Sequence, residues 1–322
     1  MNGRGAVLAA RIRTAAAALI LVPFAACAGP GGATSDVAER TIRAVATTSI
    51  VADAVREVGG DRVEVTGLMG PGVDPHLYRA SEGDVRRMSE ADIVFYNGLH
   101  LEGRMSELFA EMGARGIRTV AVAEAIDTAS LLRPPEFEGA FDPHVWMDVG
   151  LWRLAVARIA DALAELDPTH AETYRARAAA YGVRLDSLDA WVRSRVEEVP
   201  EAIRVLVTAH DAFNYFGRAY GFQVRGLQGI STVAEAGTAD VQALARYVAE
   251  ARIPALFVES SVSPRSIEAV QAAVRARGFD VRLGGSLYSD ALGGVGSGAE
   301  TYEGMIRHNT ETIVSALAGG DG

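Results

Sequence analysis

Residues 168–199 carry one unbroken helical stripe, and that stripe restricts the fold more than any other feature of the chain. Tyr174, Ala178, Tyr181, Leu185, Leu188 and Val192 recur at spacings of four and three, which places them on one helix face. Asp167-Pro168 reads as an N-cap followed by proline at the first helical position, and Pro200 supplies a stop. At 1.5 Å per residue such a helix would span about 48 Å. Gly182 costs it roughly 1 kcal/mol relative to alanine, which a helix packed along one face tolerates. A flexible linker would show glycine, serine and proline without apolar periodicity. The segment is expected to be a rigid strut between two bodies; the competing reading is a helix inside one domain.

On either side of the stripe, short apolar, β-branched runs alternate with longer amphipathic stretches, the signature of βαβ units. Strands are expected at residues 42–47, 62–68, 92–96 and 118–122, with helices starting near Ser49, Ser81 and Gly103. A second series is expected at 204–208, 223–227, 255–259 and 280–284, with helices after Asp211, Thr238, Pro264 and Ala299. The expected fold class is therefore α/β, with two four-stranded parallel-sheet lobes at 42–167 and 200–320 joined by the long rigid helix 168–199.

The first 26 residues read as an address rather than a domain. Arg4, Arg11 and Arg13 precede an apolar run at 15–26 with no acidic residue, the layout of a secretory signal peptide, and the run is too short to span a bilayer comfortably. Ala25-Ala26-Cys27 resembles a bacterial lipobox, although Phe24 stands where leucine is usual. Acylation of Cys27 is expected, giving an exported, membrane-anchored lipoprotein; cleavage after Ala28 would give a periplasmic or other extracytoplasmic protein instead. Residues 27–41 are expected to be a flexible tether. With the three signal arginines set aside, 28 basic residues face 41 acidic ones, a formal charge of −13, which disfavours a nucleic-acid partner. A monomer is expected.

Composition removes much chemistry. All 31 basic residues are arginine, so there is no lysine for a Schiff base or a complete Walker A loop. Cys27 is the sole cysteine, so the chain by itself builds no disulfide, thiolate zinc knot or iron-sulfur cluster. The six histidines are the remaining soft ligands.

Four loops place a metal-competent side chain after an expected strand: His76 in GPGVDPH, His144 in DPHVW, His210 after VLVTA and Asp290 in LYSD. Ligands of open α/β sheets bind beyond the carboxyl ends of strands, and two such ends facing one another would form a cleft. In each Asp-Pro-His triplet proline stiffens the turn, and the aspartate is placed to accept the imidazole's other N–H. Taken singly, a loop histidine is more often structural than ligating, and Asp290 alone reads as a loop cap. Asp74, Asp142, Asp211 and Glu259 are candidates for a supporting layer; solvated loop charges are the competing reading. His170 and His308 are expected on solvated helix faces and His100 at the cleft mouth.

The segments GPGVDPHLYRAS, NGLHLEG, DPHVWMD, VTAHDAFNYFGRAYG, STVAEAGTADVQALARYVAE with FVESS, and LYSDALG followed by TYEGMIRHNTETIVSAL resemble the zinc and manganese solute-binding lipoproteins of bacterial ABC importers, the TroA/ZnuA-like or cluster A-I family. The resemblance spans residues 42–318. It implies two α/β lobes joined by one long helix, a metal site in the interlobe cleft, and His76, His144, His210 and Asp290 as the four ligands. It further implies a non-enzymatic carrier that hands Zn2+ or Mn2+, its transport substrate, to an ABC permease in the membrane.

Three imidazoles and a carboxylate suit zinc and leave no open position for an activated water. Family members dedicated to manganese often carry glutamate where His210 stands, which favours zinc. Zinc-dedicated members frequently carry a histidine-rich loop, and residues 124–141 contain no histidine, which pulls the other way. Zinc is expected ahead of manganese. Two alternatives stay open: a surface adhesion or interaction protein sharing the fold, and a zinc-dependent hydrolase, although no H-E-x-x-H helix is present.

Overall fold

The computed structural model describes residues 34–137 and 139–319. The expected leader at 1–26 and Cys27 lie outside the described residues. No helix among the described residues is long and apolar enough to cross a membrane.

The first lobe runs β1 (Ile42–Ala46), α2 (Ser49–Gly59), β2 (Val63–Gly67), α3 (Glu82–Ser89), β3 (Ile93–Tyr96), α4 (Ser106–Ala114) and β4 (Arg118–Ala121), after a short α1 (Thr34–Glu39). Its strands form one parallel sheet in the order β2-β1-β3-β4, with Ala44 between Val65 on one side and Ile93 on the other. Local signals set the helix starts: Thr48 accepts from the Val51 amide at 3.2 Å, and Ser81 and Asp84 form a reciprocal capping box. The expected tether is corrected from residue 34 onward. There α1 docks with Val37 buried, Arg62 donating to the Val37 and Ala38 carbonyls, and Arg40 gripping Asp92 at 2.7 and 2.8 Å.

Two long helices follow: α5 (Val149–Leu166) and α6 (Ala171–Val196), separated by a single 3-10 turn at Pro168–His170. The expected strut thus starts three residues late as an α-helix, and its 26 residues span about 39 Å. Tyr174, Tyr181, Leu185, Leu188 and Val192 are buried as the stripe required. This α6 packs against α5, α2 and α10 (Tyr302–Ala318), so it joins the lobes as a packed spine. Helix α5 had no counterpart among the sequence expectations. Asp148 caps it by accepting from the Leu151 amide, and Trp152, Val156, Ile159 and Leu163 bury one face.

The second lobe contains β5 (Val205–His210), α7 (Asn214–Tyr220), β6 (Gln223–Gln228), α8 (Thr238–Ala251), β7 (Ala255–Glu259), α9 (Arg265–Arg275), β8 (Arg282–Leu287) and α10. Its four strands are hydrogen-bonded as two parallel pairs, β5-β6 and β7-β8, with β5 lying beside β7. Every residue of β5 is buried, as expected of a central parallel strand covered on both faces.

Candidate metal centre

The strand ends of the two lobes face one another, and four side chains meet there. His210 is the last residue of β5. Asp290 lies three residues beyond β8, and its carboxylate accepts from the Ser261 hydroxyl at 3.0 Å. His76 and His144 come from the two Asp-Pro-His turns of the first lobe, where each aspartate accepts the histidine backbone N–H, at 2.8 Å from Asp74 and 3.0 Å from Asp142. One donor atom from each of the four residues lies within 4.8 Å of the others.

The arrangement is tight and dry. His76 is 4% exposed, Asp290 1%, and His144 and His210 are fully buried. His76 Nε2 sits 3.3 Å from His144 Nε2, and the Asp290 oxygens sit 3.4 Å from His144 Nε2 and 3.4 Å from His210 Nε2. Asp142 Oδ1 lies 2.8 Å from His144 Nδ1, and Glu259 Oε2 lies 2.6 Å from His210 Nδ1. The Asp142 hydrogen bond assigns the proton of His144 to Nδ1 and turns its Nε2 lone pair to the centre, as in the outer layer of a histidine metal site, while Glu259 is a close anionic neighbour of the His210 ring. His210 Nε2 and Asp290 Oδ1 are buried without a hydrogen-bond partner in the protein. A cation among these donors resolves each mismatch, so the residues present fit a divalent metal ion.

The electrostatics of the bare donor set are divided. Burial holds the His76 imidazole down at about 3, against the pull of Asp290 and with help from the other two rings. Burial opposes charge on His144 as well, but Asp142 and Asp290 prevail and raise it above the usual imidazole value. His210 is raised further, because Glu259 and Asp290 outweigh its burial. Asp290 is held well below the usual carboxylate range: burial pushes it up, and His210 and His144 more than offset that.

Of the four supporting candidates, Asp142 and Glu259 approach imidazole rings, and the other two do not. Asp74 gives one oxygen to the His76 amide and the other to Thr232 Oγ1, at 2.6 Å. Asp211 Oδ1 accepts from the Gly226 amide at 2.7 Å, tying the turn after His210 to β6. A Cβ at Gly226 would come within 2.6 Å of the Asp211 amide nitrogen and Oδ1, so this close approach requires glycine.

The other histidines stand apart from the cluster. His170, expected on a solvated face, is half-buried with Nδ1 2.9 Å from Asp167, which also takes Arg62 and Tyr174. His308, also expected to be solvated, is half-buried and directs Nε2 to the Ser286 carbonyl at 3.0 Å. His100 is exposed and lines a separate cavity of about 390 Å³ with Tyr96 and Glu124.

Several contacts escaped sequence reasoning. Trp146 Nε1 donates across the lobes to the Ser289 carbonyl at 2.8 Å, and Tyr302 Oη donates to the Trp146 carbonyl at 2.7 Å. From the second lobe, Tyr215 Oη donates to the Asp142 carbonyl at 2.9 Å and Asn214 donates to Asp142 Oδ2 at 3.2 Å. The VW that follows the second triplet and the FNY after His210 were the only local signals.

Residues 44–316 match the family described as zinc-uptake complex component A, periplasmic. The chain is 50% identical over 275 residues to the zinc-binding protein TroA of Treponema pallidum, covering 85% of this chain and 88% of that one. It is 47% identical over 302 residues to the manganese-binding lipoprotein MntA of Bacillus subtilis, covering 94% and 98%. Among solved structures, the periplasmic zinc-binding protein TroA of Treponema pallidum superposes with a TM-score of 0.83 at 48% identity, covering 86% of this chain and 99% of that one.

Proposed function

The chain belongs to the periplasmic component A family of zinc-uptake complexes, and from that premise we propose that His76, His144, His210 and Asp290 hold the transported ion between the lobes. The protein is an extracytoplasmic solute-binding component of an ABC-type metal importer, with zinc or manganese as its transport substrate. The observation that carries the assignment of the ligands is the convergence of three buried imidazoles and one buried carboxylate within 4.8 Å.

The residues divide the work by position. Asp142 fixes the His144 ring with Nε2 inward, Glu259 places a carboxylate beside the His210 ring, Ser261 holds the Asp290 carboxylate, and the surrounding burial excludes water. Three nitrogens and a carboxylate favour zinc over manganese, whose harder character prefers oxygen. Four protein donors leave no position for an activated water, so the protein is a carrier and not an enzyme. It acts as a monomer, with lobes 42–167 and 200–320 and a lipid on Cys27 holding it beside its permease.

Competition titration of zinc and manganese at equal free concentration tests this reading. Zinc is expected to fill the site and displace manganese; preferential manganese binding would overturn the choice of metal. Stoichiometric binding that survives His210→Ala unweakened would overturn the ligand set.

A further inference from the structure

None of the four converging side chains is more than 4% exposed, so an ion reaches or leaves them only when a wall of the site opens. A cavity of about 580 Å³ lies against one such wall, between the His76 turn and the second-lobe segments that follow β6 and β7. Two of its lining residues bond directly to ligands: Asp74 accepts from the His76 amide at 2.8 Å, and Ser261 donates to Asp290 Oδ2 at 3.0 Å. The cavity beside His100 and the groove of about 400 Å³ between α5 and α6 have no wall residue bonded to a ligand.

Among the described residues, one side-chain hydrogen bond spans this wall from lobe to lobe. Thr232 Oγ1 donates to Asp74 Oδ2 at 2.6 Å, and both residues line the cavity. Thr232 sits in the irregular segment 229–237 between β6 and α8. Long hydrogen bonds hold that segment, Gln228 to the Ala234 carbonyl at 3.3 Å and the Val233 amide to Ser231 at 3.4 Å, and the Val233 side chain is exposed. Ile230 and Thr232 are buried and the Gly237 amide is held by Asp240 at 2.8 Å, so the loosely bonded stretch is the one around Val233, and it is the part of the wall that opens at least cost.

We propose that this cavity is the portal through which the divalent cation enters and leaves, and that the Asp74–Thr232 hydrogen bond is its bolt. The inference rests on the ligand assignment above and adds the path. The bolt uses no ligand donor atom, so it closes over the loaded and the empty site alike. It therefore sets the height of the barrier between them and not their relative free energy. Both rates change by the same factor when it is removed, and the dissociation constant stays where it was.

Stopped-flow exchange of Zn2+ with a chromophoric chelator, paired with an equilibrium competition titration, tests the assignment on the full mature chain. Thr232→Val is expected to speed association and dissociation together, on the order of tenfold, the worth of one hydrogen bond to a carboxylate. Ser263→Trp, an exposed position on the cavity wall, is expected to slow both rates with unchanged affinity. Faster dissociation alone in Thr232→Val, with weakened affinity, would make the contact a brace and overturn the bolt. Unchanged rates in Ser263→Trp would place the path elsewhere. Failure of the unsubstituted protein to bind Zn2+ would instead overturn the ligand assignment, so the two failures are distinct.

Discussion

The two Asp-Pro-His triplets are identical in sequence and share one hydrogen bond, from the histidine amide to the aspartate, yet they are wired differently. In both, the aspartate accepts the N–H of the histidine two residues on, at 2.8 Å for Asp74 and 3.0 Å for Asp142. Asp142 uses the same oxygen to approach the His144 ring, whereas Asp74 turns its second oxygen to Thr232 in the other lobe. The consequence is electrostatic. His144 is raised by the Asp142 and Asp290 carboxylates against its burial, and His76, with no carboxylate on its own triplet facing its ring, is held by burial at about 3. A repeated triplet sets the turn; what packs around it decides whether the aspartate tunes the ring or ties the lobes.

The largest effect should ignore the difference. His76→Ala and His144→Ala each remove a donor, and each is expected to weaken zinc affinity by more than about 100-fold in a competition titration, beyond the usual effect of losing an outer-layer partner. A large loss for one and a small loss for the other would break the equivalence of the two histidines as ligands.

The aspartates should separate the triplets. Asp142→Asn is expected to weaken affinity by roughly 10 to 100-fold, because the His144 ring loses its anionic partner. Asp74→Asn keeps an oxygen for the His76 amide and touches no ring, so its equilibrium effect should be clearly smaller. Equal losses would show that the aspartates do the same work.

Acidification sharpens the contrast. His144 and His210 are raised above the usual imidazole value, so in the metal-free site acidification protonates them first, and an incoming ion must displace those protons. Affinity should therefore fall from about pH 8 to about pH 6, by up to about tenfold per pH unit for each proton released. His76 is already neutral throughout that range and contributes no proton. Calorimetry in buffers of different ionisation enthalpy counts the protons, and Asp142→Asn should reduce the number. A count unchanged in that variant would contradict the link between Asp142 and His144.

The smallest expected effect is on stability. Tyr215 Oη donates to the Asp142 carbonyl and accepts from the Leu132 amide at 3.0 Å, supporting the second triplet alone. Tyr215→Phe should cost about 1 to 2 kcal/mol and lower the thermal midpoint of the metal-free protein, with little change in affinity.

Much of this was legible in the sequence, for physical reasons that differ from element to element. The spine was readable because one face of α6 is apolar at helical spacing over its whole length, and the strands because parallel βαβ units leave continuous β-branched runs. Helix α5 carries a comparable signal in Asp148, Trp152, Val156 and Ile159, but it lies outside the strand–helix alternation that marks the other elements. The two carboxylates at the rings illustrate the limit. Asp142 is two residues from its histidine, whereas Glu259 reaches His210 from the end of a different strand, β7, which lies beside β5. Thr232, Ser261 and Trp146 act across 158, 29 and 143 residues of sequence, and no local pattern encodes such contacts.

The central claim, that one cation sits among His76, His144, His210 and Asp290, is tested most directly by anomalous diffraction at the zinc and manganese edges. The crystals would be of the mature protein grown with both metals at equal free concentration. A single anomalous peak bounded by the three Nε2 atoms and the Asp290 carboxylate, with the zinc signal dominant, is the predicted result. A peak elsewhere, or one that any of the four side chains does not touch, would contradict it.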